Sequence, residues 1–197
     1  MRSIRHTLVI IGIVALGLAV TSEADAGPAG EQLRSRLDRV IGILEDGTLK
    51  ARPEARRAAL RGAATEIFDF NEITRRSLGR HWQTATPAER EEVTQLLTAL
   101  LERAYMGRIE QYSGERLMMT GETVDGDLAT VRTRLQGKSG VETLVDYRLH
   151  QVGDRWLAYD VAVEGVSLVA NYRAQFNRII QTSSAQALVK RLRAKQE

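Results

Sequence analysis

Two aspartates and two histidines are the side chains of this sequence best suited to proton transfer. They are His81, Asp146, His150 and Asp160. A buried aspartate with a raised pKa can abstract a proton next to a carbonyl group. An acid–base enzyme is therefore one function that these residue types permit.

The predicted positions of these side chains argue against catalysis. Asp146, His150 and Asp160 alternate with apolar residues along two predicted strands, so they fall on the face opposite the apolar stripe. There we expect bonds to neighbouring loops or helices, with Asp160 accepting amide bonds from the turn at residues 164–167. His81 adjoins Trp82 and is expected to be a packing residue.

Composition excludes several other classes of function. The chain contains no cysteine, so neither disulfides nor thiolate chemistry is available. It also lacks zinc, Walker, Rossmann and catalytic-serine motifs. A net charge of +3, without basic and aromatic residues interleaved, does not indicate a nucleic-acid partner. We expect no catalytic residue, no metal and no cofactor.

Residues 1–26 predict a cleaved secretory signal peptide. Arg2 and Arg5 form a positive start, a short apolar run follows, and Ala-Asp-Ala at 24–26 matches the small-x-small cleavage pattern. An uncleaved membrane anchor is the alternative, whereas the absence of cysteine argues against lipoprotein processing. We expect a periplasmic mature chain that folds as one domain over residues 27–197.

Helices are predicted before the middle of the chain. Apolar residues recur at helical spacing in three stretches between residues 30 and 82, with Asp69 and Glu72 as a capping pair before the third. Thr86, followed by Pro87 and Glu89, predicts the start of a long helix that ends near residues 113–114. Its expected buried residues are Val93, Leu96, Leu97, Leu100, Leu101, Ala104, Tyr105 and Ile109.

Four strands are predicted next, separated by turns at residues 125–127, 137–140 and 152–154. The last strand is expected to place Leu157, Tyr159, Val161 and Val163 on one face. Gly165 supplies a bend, Ser167 caps the following helix, and apolar spacing continues that helix from Val169 to Ile180.

This order predicts the α+β class. We expect a four-stranded antiparallel meander sheet covered on one face by helices, with helices both before and after the sheet. Whether the sheet and helices close on each other, or leave room for a guest molecule, decides the function.

Several motifs resemble those of the MlaC family, the periplasmic phospholipid carriers of the Mla (toluene-tolerance) ABC transport system. The resemblance runs from about residue 51 to the C-terminus, and its most specific part is Ala-Tyr-Asp at 158–160 with Glu-Gly-Val-Ser at 164–167. Other matching segments are Phe68-Asp69-Phe70, Leu78-Gly79-Arg80-His81-Trp82, Thr86-Pro87 and Ala104-Tyr105.

The resemblance implies a soluble carrier with an NTF2-like cone, in which phospholipid acyl chains lie between sheet and helices. It would shuttle lipid between an outer-membrane lipoprotein complex and an inner-membrane ABC transporter with its lipid-binding subunit, and so maintain outer-membrane lipid asymmetry. A related branch is associated with hopanoid lipids, so a hopanoid-type cargo stays open. The NTF2-like shape is also that of the ketosteroid-isomerase group, which keeps the enzyme as the less favoured alternative.

A carrier needs a long apolar cavity, since each acyl methylene removed from water contributes about 0.8 kcal/mol. The inward stripes of the predicted strands and helices supply the candidate lipid-binding residues. They are Tyr105, Ile109, Tyr112, Met119, Val131, Leu135, Val145, Tyr147, Tyr159, Val161, Tyr172 and Phe176.

A pure interaction module is the third possibility. Consecutive predicted helices carry a basic face, which in a carrier would support transient contact with a membrane surface. Its residues are Arg52, Arg56, Arg57, Arg61, Arg75, Arg76 and Arg80.

Overall fold

The computed structural model describes residues 27–195, so the predicted signal peptide lies outside the described residues. Helices precede and follow a single sheet, as predicted for the α+β class. The helices are α1 (Pro28–Glu45), α2 (Gly47–Lys50), α3 (Pro53–Ile67), α4 (Phe70–Leu78), α5 (His81–Thr84), α6 (Pro87–Glu110), α7 (Leu168–Thr182) and α8 (Ala185–Ala194). The strands are β1 (Arg116–Asp125), β2 (Leu128–Gln136), β3 (Glu142–Val152), β4 (Arg155–Val163) and β5 (Val166–Ser167).

Three predicted helix caps are confirmed. The side chains of Asp69, Thr86 and Ser167 accept first-turn amide hydrogen bonds of 2.9, 3.2 and 3.0 Å, respectively. The Glu89 carboxylate in turn accepts a hydrogen bond from the Thr86 amide, which completes a capping box. These local signals fix the starts of α4, α6 and α7.

The sheet is an antiparallel meander in the order β1-β2-β3-β4-β5, with five strands rather than the predicted four. The extra strand follows from the turn between β4 and β5. Glu164 and Gly165 both have positive φ, at 49° and 77°, which is the backbone of a two-residue hairpin turn. The chain therefore reverses at once, and Val166 pairs with Val163.

A bulge in β4 overturns the prediction that Leu157, Tyr159, Val161 and Val163 share one face. Arg148 pairs with Asp160 while the next residue of β3 pairs with Ala158, which leaves Tyr159 as the extra residue. An extra residue reverses the alternation of side chains along a strand. Tyr159 consequently lies on the polar face, where the Arg76 guanidinium stacks 3.7 Å from its ring centroid.

Two separate hydrophobic cores hold the fold together. The sheet core joins α1 and the end of α3 to one end of the sheet, and its buried members are Ala29, Leu33, Ile67, Ala129, Val131, Leu149, Trp156 and Ala158. The helical core joins α4, α6, α7 and α8, and its buried members are Ile73, Leu78, Val93, Leu96, Leu97, Leu101, Val169, Phe176, Leu188 and Leu192. Phe68, at the junction of α3 and α4, packs against both.

The second half of α6 is not buried as predicted. Ala104 is exposed, and Tyr105 and Ile109 each keep 39% of their surface accessible. The principal neighbours of α6 are α4 and α8, and the helical core that they form ends at Leu101. Beyond that residue α6 is joined to α3 by ion pairs, Arg61–Glu102 at 2.8 Å and Arg57–Glu110 at 2.9 Å.

No helix among residues 27–195 combines the length and the apolar character that crossing a bilayer requires.

Candidate functional site

Part of the sheet's apolar face lies outside both cores. Strand register aligns Leu117 with Leu135, Val145 with Val163, and Tyr147 with Val161 on this face. We define the open strip as Leu117, Leu135, Val145, Val161 and Val163. Four of its members are half-buried and Val163 is 45% exposed.

Tyr147 lies where the open strip meets the sheet core. Burial raises the pKa of Tyr147 to about 12. Its side chain nevertheless retains accessible surface. Tyr147 is therefore where the closed sheet core gives way to accessible apolar surface.

Thr133 lies at the centre of the same face and is fully buried, and its hydroxyl group is hydrogen-bonded. Its hydroxyl donates a 2.7 Å hydrogen bond to the Val145 carbonyl across the strand pair. Because that bond satisfies the hydroxyl, the apolar character of the face is kept between β2 and β3.

On the helix side, aromatic residues of α6 and α7 approach each other. Burial, and secondarily the neighbouring Tyr105, raises the pKa of Tyr172. The Tyr172 ring also packs on Phe176, with 5.6 Å between ring centroids. Tyr172 thus links the exposed half of α6 to the helical core.

The twelve candidate lipid-binding residues fall into several environments. Leu135, Val145 and Val161 belong to the open strip, and Met119 and Tyr147 pack at the edge of the sheet core. Val131 and Phe176 are core residues, only 1% and 3% exposed.

The remaining candidates lie on the helices or on the opposite face. Tyr105, Ile109 and Tyr172 are on the helix side, and the Tyr112 hydroxyl bonds Glu45 at 3.3 Å near the end of α1. Tyr159 is separated from this set by the β4 bulge.

Two members of the open strip, Leu117 and Val163, were not among the candidates. Strand alternation was the available signal, since Leu117 precedes Met119 by two residues and Val163 follows Val161 by two.

Neither of the two best-formed grooves among the described residues is lined by the open strip. One, of about 370 Å³, adjoins the strip at Arg116, Gln136 and Lys138. The other lies between α7 and α8 and includes Arg178 and Arg191. One end of the strip therefore adjoins a groove that carries two basic side chains.

Three of the four acid–base candidates, namely Asp160, His150 and His81, have structural partners. Asp160 is 2% exposed and accepts hydrogen bonds from Ser167 Oγ at 2.6 Å and from the Val169 amide at 3.0 Å. Arg148 adds an ion pair to Asp160 at 3.0 Å. Asp160 therefore fastens the start of α7 to β4. The turn supplies the Ser167 hydroxyl rather than the predicted amide, and the amide bond comes from Val169 just beyond it.

The two histidines likewise bond neighbouring elements. His150 Nε2 lies 3.1 Å from Asp69 Oδ2, and Asp69 is also the cap of α4. His81 Nε2 lies 3.0 Å from Asn177 Oδ1 on α7. Within residues 27–195 there is also no cluster of three or more side chains able to hold a metal ion.

Two comparisons with known proteins agree with this architecture. The family model described as MlaC protein matches residues 34–194. A phospholipid-binding protein from Ralstonia solanacearum, solved at 1.53 Å in complex with a phospholipid, is similar in structure with a TM-score of 0.77. The similarity covers 85% of this chain and 96% of that chain at 23% sequence identity, and at this identity it shows a shared fold.

Proposed function

Because this chain belongs to the MlaC protein family, we propose that it is a lipid-binding carrier whose cargo rests against the open strip. One observation supports this proposal above the others. The apolar face of the sheet is left partly uncovered along the open strip, and the half of α6 beyond Leu101 carries accessible Tyr105 and Ile109.

Such a surface suits an acyl chain better than it suits water. Each methylene moved out of water contributes about 0.8 kcal/mol, so even a partly covered chain is held by many small increments. The proposed cargo lies along the strip from Tyr147, at the border of the sheet core, to the exposed Val163. A cargo lying along this direction would convert half-exposed side chains into buried ones.

Phospholipid is the favoured cargo, and a hopanoid-type lipid is the alternative. The similar structure from Ralstonia solanacearum holds a phospholipid. In this chain Arg116 and Lys138 line the groove that adjoins the strip, where a phosphate would meet positive charge. We further propose that the protein is exported and carries lipid between an outer-membrane lipoprotein complex and an inner-membrane ABC transporter, thereby maintaining outer-membrane lipid asymmetry.

A carrier is also preferred over an enzyme. Two acid–base candidates have structural roles, since Asp160 holds the start of α7 and His150 bonds Asp69, the cap of α4. None of the twelve apolar-stripe candidates is an acid, a base or a strong nucleophile apart from the tyrosines. Binding alone accounts for the open strip.

The experiment is mass spectrometry of an organic extract from the exported, natively folded protein. We expect about one equivalent of phospholipid or polycyclic lipid, and a fall in melting temperature after delipidation, because a ligand that binds only the folded chain stabilises it. Lipid-free extracts from folded protein, with no uptake from phospholipid vesicles, would overturn the carrier. A hopanoid in the extract would keep the carrier and change its cargo.

A further inference from the structure

One buried carboxylate oxygen of the sheet has no partner. Glu122 of β1 reaches the start of α1, where its Oε2 accepts a 2.9 Å hydrogen bond from the Gly30 amide. Its Oε1 is buried and forms no hydrogen bond with any described residue. An unpartnered buried carboxylate oxygen is costly, so this atom calls for a donor.

The backbone of Gly27 lies close to this oxygen. A Cβ built on Gly27 would lie 2.9 Å from Glu122 Oε1, closer than side-chain carbons approach. The Gly27 nitrogen is attached to the same α-carbon, and standard bond lengths place it within roughly 6 Å of Oε1. Only glycine lets the carboxylate approach this backbone without a clash.

Gly27 is also the residue that follows the predicted cleavage site at 24–26. Hydrolysis of the Ala26–Gly27 bond by a processing peptidase uses one water and leaves a carboxylate on Ala26 and an ammonium group on Gly27. The amide nitrogen thereby becomes a cation with three N–H donors, which is the type of group that the orphan oxygen lacks.

We propose that the α-ammonium group of Gly27, released by signal-peptide cleavage, binds the Glu122 carboxylate and completes the cap of α1. The Gly27 N-cap has no side chain to supply this function, and Pro28 has no amide hydrogen. Glu122 holds the Gly30 amide with one oxygen and the new terminus with the other. The negative carboxylate also suits the positive end of the helix.

The pairing couples processing to the packing of the sheet core. Ala29 and Leu33, in the first turns of α1, are 0% and 1% exposed against the sheet. In the precursor the same nitrogen is a neutral amide, so α1 lacks this charged attachment. Cleavage therefore tightens the contact between α1 and the sheet after export, independently of any lipid.

The test is a double-mutant cycle on protein exported from the full-length precursor. One change inserts a single alanine between Ala26 and Gly27, which moves the ammonium group by one residue while leaving residues 24–26 intact. The other is Glu122→Gln, whose amide oxygen can still accept the Gly30 bond. Intact mass first establishes where each mature chain begins, and a mature wild-type chain that begins anywhere but Gly27 overturns the proposal.

Each single change should lower the melting temperature by about 2–4 °C. The melting temperature of the double variant should be no lower than that of the less stable single variant, because both changes remove the same interaction. Acylation of the terminal amine by an activated ester should also be several-fold faster after Glu122→Gln, because pairing protects the ammonium form. Glu142→Gln, at an exposed strand glutamate, is the matched control and should show neither effect. Additive losses in the cycle, or equal acylation rates with and without Glu122, overturn the pairing.

Discussion

The helical core and the open strip use the same kinds of side chain but differ in what covers them. In the helical core Leu97 is 0% exposed, enclosed by α4, α6, α7 and α8. In the open strip Leu135 and Val145 remain half-buried, and Val163 is 45% exposed. Apolar composition alone therefore does not close a core, because closure requires a second apolar surface at packing distance.

One helix accounts for much of this difference. The first half of α6 is packed between α4 and α8, whereas its second half is held to α3 through Arg57–Glu110 and Arg61–Glu102. Long charged side chains hold helices apart more than interdigitating leucines do. The same helix thus belongs to a solid core at one end and carries accessible apolar side chains at the other.

Truncating one leucine in each region should give the largest contrast. Leu97→Ala is expected to lower the free energy of unfolding by about 2–5 kcal/mol, because it leaves a cavity in a closed core. Leu135→Ala, in delipidated protein, should cost about 1 kcal/mol, since that side chain is already partly exposed. Urea denaturation measures both, and equal losses would mean that Leu135 is as tightly packed as Leu97.

The second-largest expected effect on stability is at the Asp160 carboxylate, which joins β4 to the start of α7. Asp160→Asn should cost about 3 kcal/mol, because Ser167, the Val169 amide and Arg148 all lose a charged acceptor. The control is Asp146→Asn. Asp146 lies on β3, on the same face of the sheet as Asp160, and is half-buried, so its substitution should change the free energy of unfolding by no more than about 0.5 kcal/mol. Similar losses in the two variants would show that Asp160 does not fasten α7 to the sheet.

A tryptophan substitution in each region should distinguish the helical core, where it lowers stability, from the open strip, where it lowers lipid binding. Val93→Trp places a large ring in the helical core, where Val93 is 4% exposed, and should lower stability by about 1–3 kcal/mol. Val145→Trp should instead reduce bound lipid while changing the melting temperature of the apoprotein less, because the ring can occupy the space beside the open strip. Lipid per folded protein is measured by mass spectrometry. If bound lipid falls only in proportion to unfolding, Val145 is ordinary core.

The smallest expected effect on stability is at the ion pairs between α3 and α6. Arg57→Gln should speed lipid exchange with vesicles by loosening the end of α6, while the melting temperature hardly changes, because exposed pairs contribute little. Arg39→Gln breaks a comparable exposed pair, Arg39–Glu66, which does not involve α6, and should leave exchange unchanged. Equal exchange rates in the two variants would exclude a role for the pair.

The pH dependence of this effect follows from Glu110. The hydrogen bond from Arg57 lowers the pKa of Glu110 in the folded chain. Because this carboxyl pKa is lowered, the stability that the pair contributes is fully present above the ordinary glutamate value of about 4.3 and is lost as the pH falls through the lower pKa of the folded chain. The exchange rates of wild type and Arg57→Gln should therefore differ at pH 7 and converge in acid.

The sequence alone determined the features that depend on neighbouring residues. Three capping residues indicate helix starts, namely Asp69, Thr86 and Ser167. A capping side chain accepts hydrogen bonds only from backbone amides two or three positions along the chain, so the sequence alone identifies it. The meander follows from short turns between alternating segments. The α+β class follows from the order of these local elements, and the resemblance to the MlaC family rests on short motifs that include Glu164 and Ser167.

Tertiary structure decided which apolar stripes close. Alternation placed Tyr159 with Val161, but a bulge set by pairing with β3 moved it to the other face. The apolar spacing along α6 predicted that Tyr105 is buried like Leu97. Burial, however, requires another helix or strand packed against that turn of α6, and Tyr105 has less cover than Leu97. A side chain's period along its own element says which way it points, whereas its burial depends on partners distant in sequence, and only the packed chain brings those partners together.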